Sequence, residues 1–375
     1  MNPEIQKIII HPSVLNSTLA RRVIENRGNV PFETAETVPD ISLTSGKRIL
    51  FIRSLPGQLV KPCPATSSPY LCCQYTVIHS CLQCPMDCTY CVLQNYLESP
   101  VITLNVRLMD MFGEIDHYLK KQPGRYFRFG TGELGDSLAL DPLTELSRDF
   151  TGFFNRKRNA LIELKTKSVH IRNVLDCSPS NVVVSWSVNP GSVVRSQEIH
   201  APALEARLQA ARQCQDAGFL LGFHFDPILH VEHWERLYQE VVDQIFSAVS
   251  ADRIAWISLG SLRFPPALKP VVQARFPGSS IVYEEMIRGQ DGKMRYPKPM
   301  RLEMYRSVYD RIRFHAPDVF VYFCMELPQV WDRVMGNHPE NNAELDFRFA
   351  ESLYRRFGSE LAMDPPDLKH YPVVK

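Results

Sequence analysis

Within the stretch HSCLQCPMDCTYCVLQNYL, His79 to Leu97, the residues Cys84, Cys88 and Cys91 are spaced CX3CX2C. Three thiolates in a short loop can hold three irons of a 4Fe–4S cluster, which normally takes four. The iron left without a thiolate is open, and a small molecule with an amine and a carboxylate can chelate it. Zinc is the second reading. Structural zinc sites take four N or S ligands in paired spacings, and Cys81 with Cys84, Cys88 with Cys91, make two such pairs. Cys63, Cys72 and Cys73 lie upstream without a further CxxC or CxxxC spacing, so they read as ordinary buried or half-exposed thiols. His224, Asp226 and His230 in GFHFDPILH raise the thought of another metal.

Such a loop needs elements to hold it. From Gln74 to about Leu262, strand-like runs alternate with helical patterns. The strands are QYTVIH, YFRFG, ALIELKT, NVVVSWSV, FLLGFHF and RIAWISLG, each short, rich in β-branched or aromatic residues and bounded by turn formers. VRLMDMFGEIDHYLKK, PLTELSRDFTGFF, PALEARLQAARQCQDAG and HWERLYQEVVDQIFSAV have helical periodicity between them. Alternation of this kind implies βαβ units, right-handed crossovers and a parallel sheet. The organisation read from it is a leader over 1–73, a barrel over 74–265, and a C-terminal α/β extension over 266–375. In the leader, KIIIHP and SGKRILFIRSLPG read as strands, SVLNSTLARRVIENRG as a helix capped near Ser13 or Asn16, and KPCPATSSPY as Pro-rich punctuation. At 375 residues and 45% hydrophobic, the chain can bury a sizeable core. A net charge of +1 exerts no global pull on nucleic acid or membranes, so such a partner must be met by a local patch. No apolar run approaches the roughly 18 residues of a membrane span, and MNPEIQKIII lacks a secretory pattern. Ten clustered cysteines argue for a reducing compartment rather than a disulfide framework. The chain reads as cytoplasmic.

The cysteine spacing is the signature of radical S-adenosylmethionine (SAM) enzymes, and CPMDCTYCVLQNYL followed by PVITLNV resembles the cluster loop of the spore photoproduct lyase family. The resemblance runs from roughly Glu4 to Tyr322. It implies an incomplete (β/α)6 TIM-type barrel, a 4Fe–4S cluster and SAM as cofactors, and a one-electron reductant such as flavodoxin or ferredoxin. It also implies roles at the strand ends. GTGE resembles a Gly-Gly-Glu in which Gly130 and Gly132 admit the methionine end of SAM and Glu133 receives its ammonium. Lys167 resembles a lysine that pairs with the SAM carboxylate, and Ser187 and Asn189 match a Ser-x-Asn able to bond methionine or ribose hydroxyls. Arg263-Phe264 matches a family Arg-Phe. The resemblance aligns GFHFDPILH with an apolar strand and its turn, leaving Asp226 and His230 as substrate-facing or structural polar groups. After the barrel, Arg288, Lys293, Arg295, Lys298 and Arg301 surround one acid, Asp291, with Tyr296 among them, and a basic region here helps hold DNA in the family.

The departures are as informative. The family motif after the second strand reads approximately Arg-Phe-Glu-Ala-(Ala/Ser)-Cys-Thr-Ser-Asp, and this chain reads RFGTGELGD from Arg128. Glu133 stands where the hydrogen-donating cysteine belongs, and Val92 stands where a tyrosine follows the third cluster cysteine. The radical generator is kept while the hydrogen-return path has changed. Tyr90, Glu133 and Cys324 are the candidate catalytic residues, Cys324 being the thiol that a late strand end brings nearest the mouth. The leading expectation is a lyase-like radical SAM enzyme acting on a substrate that could be a nucleic-acid base. The alternatives are a true thymine-lesion repair lyase with a relocated donor, and a non-catalytic zinc or Fe–S protein that binds nucleic acid. Replacing Cys84, Cys88 or Cys91 with Ala is expected to remove most iron from anaerobically reconstituted protein, with Cys81→Ala retaining it. Iron loss in Cys81→Ala but not in Cys84→Ala would reverse the ligand set.

Overall fold

The computed structural model describes residues 5–64 and 69–371, so the centre of the Pro-rich stretch lies outside the described residues. The six expected barrel strands form as Thr76–Ile78, Phe127–Gly130, Ala160–Thr166, Val182–Ser187, Leu220–Ile228 and Ile254–Ser261. They pair in that order, all parallel, with registers such as Glu163 opposite Gly130 and Ser187 opposite His224. Val182–Ser187 and Ile254–Ser261 are buried at every position, as strands covered on both faces must be. The sheet curls without closing: its edge strands, Val60–Pro62 and Phe320–Phe323, do not pair with each other. This is the parallel sheet that the alternation predicts, in the open, incomplete barrel that the family resemblance implies.

The boundaries at 73 and 265 need correction. Phe320–Phe323, assigned to the C-terminal extension, is a seventh parallel strand beside Ile254–Ser261. It follows the helix Lys298–His315, which packs on the helix Trp234–Ala248, and so completes one more βα unit. Val60–Pro62, assigned to the leader, pairs antiparallel with Thr76–Ile78. The leader also builds its own sheet, in the order Phe32–Thr34, Lys7–Ile10, Ile49–Arg53, Ile102–Asn105, Cys81–Leu82, and so takes two strands from the barrel stretch. Strand pairing is non-local, and composition shifts along the chain do not report it.

Two helix boundaries also move. The first long helix, Thr18–Asn26, is capped by Ser17, whose Oγ accepts the Ala20 amide at 3.3 Å, rather than by Ser13 or Asn16. PLTELSRDFTGFF breaks at Glu145, in the left-handed region at φ 50°, into Asp141–Thr144 and Leu146–Phe154.

Side chains alternate between the faces of a strand, so Glu163 and Lys165 share one face of Ala160–Thr166. Glu163 is 2% exposed and three groups converge on its Oε1: Ser185 Oγ donates at 2.7 Å, His224 Nε2 lies at 2.7 Å, and Trp256 Nε1 donates at 3.3 Å. His224 Nδ1 continues the network to Ser258 Oγ at 2.7 Å. Four neighbouring strands are thus tied one layer below the sheet's rim. His224, Asp226 and His230 do not gather on a metal: His224 belongs to this network, Asp226 pairs with Arg263, and His230 lies 3.4 Å from Glu284.

Burial works against the Glu163 charge, yet the His224 contact and the Lys165 charge hold its carboxyl at about 2. A folded value below the ordinary 4.5 means stability that is present above that pH and lost as pH falls towards 2. The thermal midpoint is therefore expected to drop across this acid window. Glu163→Gln should lower stability at pH 7 and flatten the drop, measured by circular dichroism melting from pH 7 to pH 3. An unchanged acid slope would remove Glu163 from the account.

Candidate active site

The cluster loop joins Thr76–Ile78 to the next barrel unit and is held by side chains that bond its backbone. Lys47, 1% exposed, donates to the carbonyls of Cys84 at 3.1 Å and Met86 at 2.7 Å. Gln94 Nε2 donates to the carbonyls of Cys88 at 3.2 Å and Thr89 at 3.0 Å. Asp87 is gripped by Lys47 at 3.4 Å and Arg275 at 2.8 Å. A two-residue strand, Asp87–Cys88, pairs with Glu198–Ile199, placing Cys88 opposite Glu198.

The donor chemistry fits a cluster. Cys88 is buried and Cys84 and Cys91 half-buried, and none is in a disulfide. Among the described residues, no three His, Cys, Asp or Glu side chains gather where a single metal ion could sit. A 4Fe–4S cluster does not require that, because its thiolates bind separate irons. Burial pushes the Cys84 thiol up and the Cys88 thiol up to about 12, so deprotonation at these positions depends on iron to compensate it.

Cys91 leads into a cavity of about 440 Å³. One wall is the cluster loop and the short helix after it, with Tyr90, Cys91, Val92, Leu93 and Tyr96. The opposite wall carries Glu133, Asp226, Arg263, Lys293 and Met325, from the C-terminal ends of strands and the segments after them. Parallel strands put functional groups at this rim in barrel enzymes generally. Glu133 faces Lys165 at 3.6 Å, and Asp226 accepts Arg263 through both oxygens, at 2.9 and 3.1 Å.

The glycines of GTGE answer first to packing. A Cβ on Gly130 would lie 1.5 Å from the Tyr75 hydroxyl oxygen, and one on Gly132 would lie 2.7 Å from the Lys165 carbonyl oxygen. Lys167 does not meet Glu133; it lies 3.8 Å from Glu198, with Tyr90's ring centroid at 5.8 Å. Ser187 and Asn189 are both buried. Asn189 is committed inside the protein, donating to Glu198 at 2.9 Å and to Tyr90 at 3.3 Å and accepting from Tyr238 at 2.7 Å, so it has little to offer a ribose hydroxyl.

The basic cluster divides. Arg295 is 2% exposed and paired with Asp291, and Arg301 is 3% exposed and paired with Glu326 at 2.9 Å. These two cannot serve as phosphate contacts. Lys293 faces the cavity, while Arg288 and Lys298 are exposed. The short strands Arg263–Phe264, Met294–Arg295 and Ile287–Arg288 form one antiparallel sheet beside the mouth.

Cys324 follows the seventh strand, with Sγ 3.1 Å from Arg263 Nη2. Cys73, though upstream of the cluster loop in sequence, packs with Cys63 and Cys91 on the Tyr75, Val77, Leu93 and Leu134 cluster, and its carbonyl accepts from Arg128. Sequence reasoning also missed Glu198 and Arg207, which are fully buried and paired with each other. Burial opposes the Glu198 charge, but Lys167 and Arg207 bring its carboxyl down to about 2. A buried acid in QEIHAP has no sequence pattern of its own; only the strand pairing with Cys88 reveals it.

Comparison with known proteins gives a consistent relationship. A family profile described as "SPL: Spore photoproduct lyase" matches residues 66–319. A spore photoproduct lyase from a Geobacillus species is 28% identical over 209 residues, 55% of this chain and 61% of that protein. The Bacillus subtilis enzyme is 26% identical over 237 residues, 62% of this chain and 67% of the other. The chain thus matches roughly two thirds of the length of these relatives or less. A spore photoproduct lyase variant of known structure superposes with TM-score 0.76 at 22% identity, covering 85% of this chain and 98% of the other. Another, with bound AdoMet and dinucleoside spore photoproduct, gives TM-score 0.76 at 22% identity over 86% and 100%. The family match spans well over half of the sequence, and the chain belongs to the spore photoproduct lyase family.

Proposed function

We propose that the protein is a radical SAM enzyme that cleaves SAM reductively and acts on an anionic substrate of nucleic-acid type in the cavity. One observation carries this: Cys91 of the cluster loop and the charged strand-end groups Glu133, Asp226, Arg263 and Lys293 line the same chamber. Cys84, Cys88 and Cys91 would hold the cluster. When bound, cluster and SAM supply an electron and a sulfonium whose cleavage gives a 5′-deoxyadenosyl radical able to remove hydrogen from a substrate. The chain's own residues supply the rest. Glu133, half-held by Lys165, is the partner for the SAM ammonium, and Lys167 is the partner for its carboxylate. Gly130 and Gly132 let Tyr75 and Lys165 pack close, which fixes the turn that carries Glu133.

The hydrogen-return step separates this chain from its relatives. A carbon radical needs a donor with a weak bond to hydrogen, which a thiol offers and the Glu133 carboxylate does not. The protein is therefore expected to form 5′-deoxyadenosine from SAM under anaerobic reduction, with little thymine released from a duplex carrying spore photoproduct. Clean, fast conversion to two thymines would overturn the second half of this reading, and absence of 5′-deoxyadenosine would overturn the first. Should repair occur and vanish in Cys324→Ala, that thiol would be the relocated donor.

The nucleic-acid reading now rests on fewer cations. DNA binding is expected at low salt, weakening steeply as salt rises because phosphate contacts release counterions. Arg288→Ala and Lys298→Ala should each reduce the logarithmic salt slope by about 1. Arg301→Ala should instead lower stability, by roughly 3–5 kcal/mol, because it leaves Glu326 buried without its cation. Fluorescence anisotropy and urea unfolding measure the two effects. No binding to single- or double-stranded DNA at low salt would favour a small-molecule or peptide substrate.

A further inference from the structure

We propose that Glu198 is a positioning residue that ties the cluster loop to Lys167 and so sets where the SAM carboxylate is received. The inference rests on the reading of Lys167 as the carboxylate partner. Its geometry centres on one carboxylate with four partners. Oε1 accepts from the Tyr90 hydroxyl and from Asn189 Nδ2 at 2.9 Å, and lies 3.8 Å from Lys167 Nζ. Oε2 accepts from Arg207 Nη2. Tyr90 sits between the cluster cysteines Cys88 and Cys91, and Asn189 lies just after the fourth barrel strand, which ends at Ser187. The backbone repeats the tie, with Glu198 opposite Cys88 and the Thr89 amide donating to the Gln197 carbonyl at 2.8 Å. Displacing this carboxylate would therefore disturb the loop and the lysine together.

A count of charges gives the tie its consequence. Glu198 carries one negative charge, and Arg207 and Lys167 one positive charge each, so one cation is in excess. Arg207 is fully buried and also donates to the carbonyls of Ser187 and Pro202, both at 2.9 Å, which fixes it as the permanent partner. Lys167 is the more distant and more exposed, its side chain 14% accessible. A buried excess charge is costly, and an incoming carboxylate can neutralise it at Lys167 without breaking the Glu198–Arg207 pair. Glu198 touches no reacting atom in this scheme. It acts by holding Lys167 and Tyr90 in fixed relation.

The test compares the dissociation constants of SAM and decarboxylated SAM on the iron-loaded protein, by anaerobic equilibrium dialysis. The wild-type protein should prefer SAM, and Glu198→Gln should reduce that preference about tenfold, the change that a loss of about 1.4 kcal/mol at the Lys167 contact gives. The double variant Glu198→Gln with Arg207→Gln keeps one net positive charge and should show the same reduction if the single variant folds poorly. In a Lys167→Ala background the Glu198 substitution should no longer change the preference, because coupled residues are not additive. An unchanged or increased preference in Glu198→Gln at normal iron content would overturn the proposal, as would an undiminished effect without Lys167. A wild-type protein that does not prefer SAM would instead overturn the reading of Lys167 itself, and the proposal with it.

Discussion

A charged group that leaves water must meet a partner, and in this protein that constraint joins segments distant in sequence. Removing one member of a buried pair leaves an uncompensated charge whose cost exceeds what the pair contributes. Asp87 in the cluster loop is held by Lys47 of the leader and Arg275 of the C-terminal region. Glu326 binds Arg301, and its carbonyl accepts the Leu71 amide at 3.0 Å, closing the C-terminal segment on the approach to the first barrel strand. Asp346 of the last long helix takes Arg125 at the start of the second strand, at 2.8 Å. The Asp87 and Asp346 pairs and the Leu71–Glu326 bond each cross a boundary that composition would draw, and so tie the leader and the extension to the barrel.

What could be read in the sequence is what is local. Apolar runs of strand length followed by helical periodicity specify βα units, because each strand here is covered on both faces and each helix on one. The cysteine spacing is legible for the same reason, since three thiols within eight residues need no knowledge of the fold. Partnerships are not local. Arg295 and Arg301 look like phosphate contacts in a basic stretch, and only the fold supplies Asp291 and Glu326 as their partners. In KTK, the lysine that reaches Glu133 is Lys165, while Lys167 leans to an acid 31 residues further on. The late strand that ends beside Cys324 is legible in the sequence, but its place in the sheet depends on a helix reading as a crossover, which no residue type announces.

The chamber reflects the same division between fixed and free charge. Asp226 and Arg263 satisfy each other through two hydrogen bonds, so this pair shapes the wall more than it recruits a ligand. Glu133 and Lys293 are held more loosely, at 3.6 Å from Lys165 and 3.9 Å from Asp291. Groups in this state can exchange an internal partner for a ligand at small cost, since they are already partly solvated. That contrast, rather than the number of charges, marks where a ligand can be recognised.

If a thiol returns hydrogen in this chamber, its protonation decides which one can. Hydrogen-atom transfer needs an intact S–H bond, so a thiolate is useless as a donor however close it lies. Their surroundings push Cys73 and Cys324 in opposite directions. A hydrogen bond from Cys72 and the Arg128 guanidinium, working against burial, lower the Cys73 thiol and favour its thiolate beside Arg128. Burial pushes the Cys324 thiol well up, with the charges of Asp226, Cys73 and Glu133 adding to the shift and Arg263 opposing it. Cys324 thus stays protonated beside the wall that Arg263 and Met325 form. The Glu133 carboxylate contributes to this, because its field discourages a second negative charge nearby. A carboxylate at this strand end therefore helps to keep the nearby thiol in the only form that could donate a hydrogen atom.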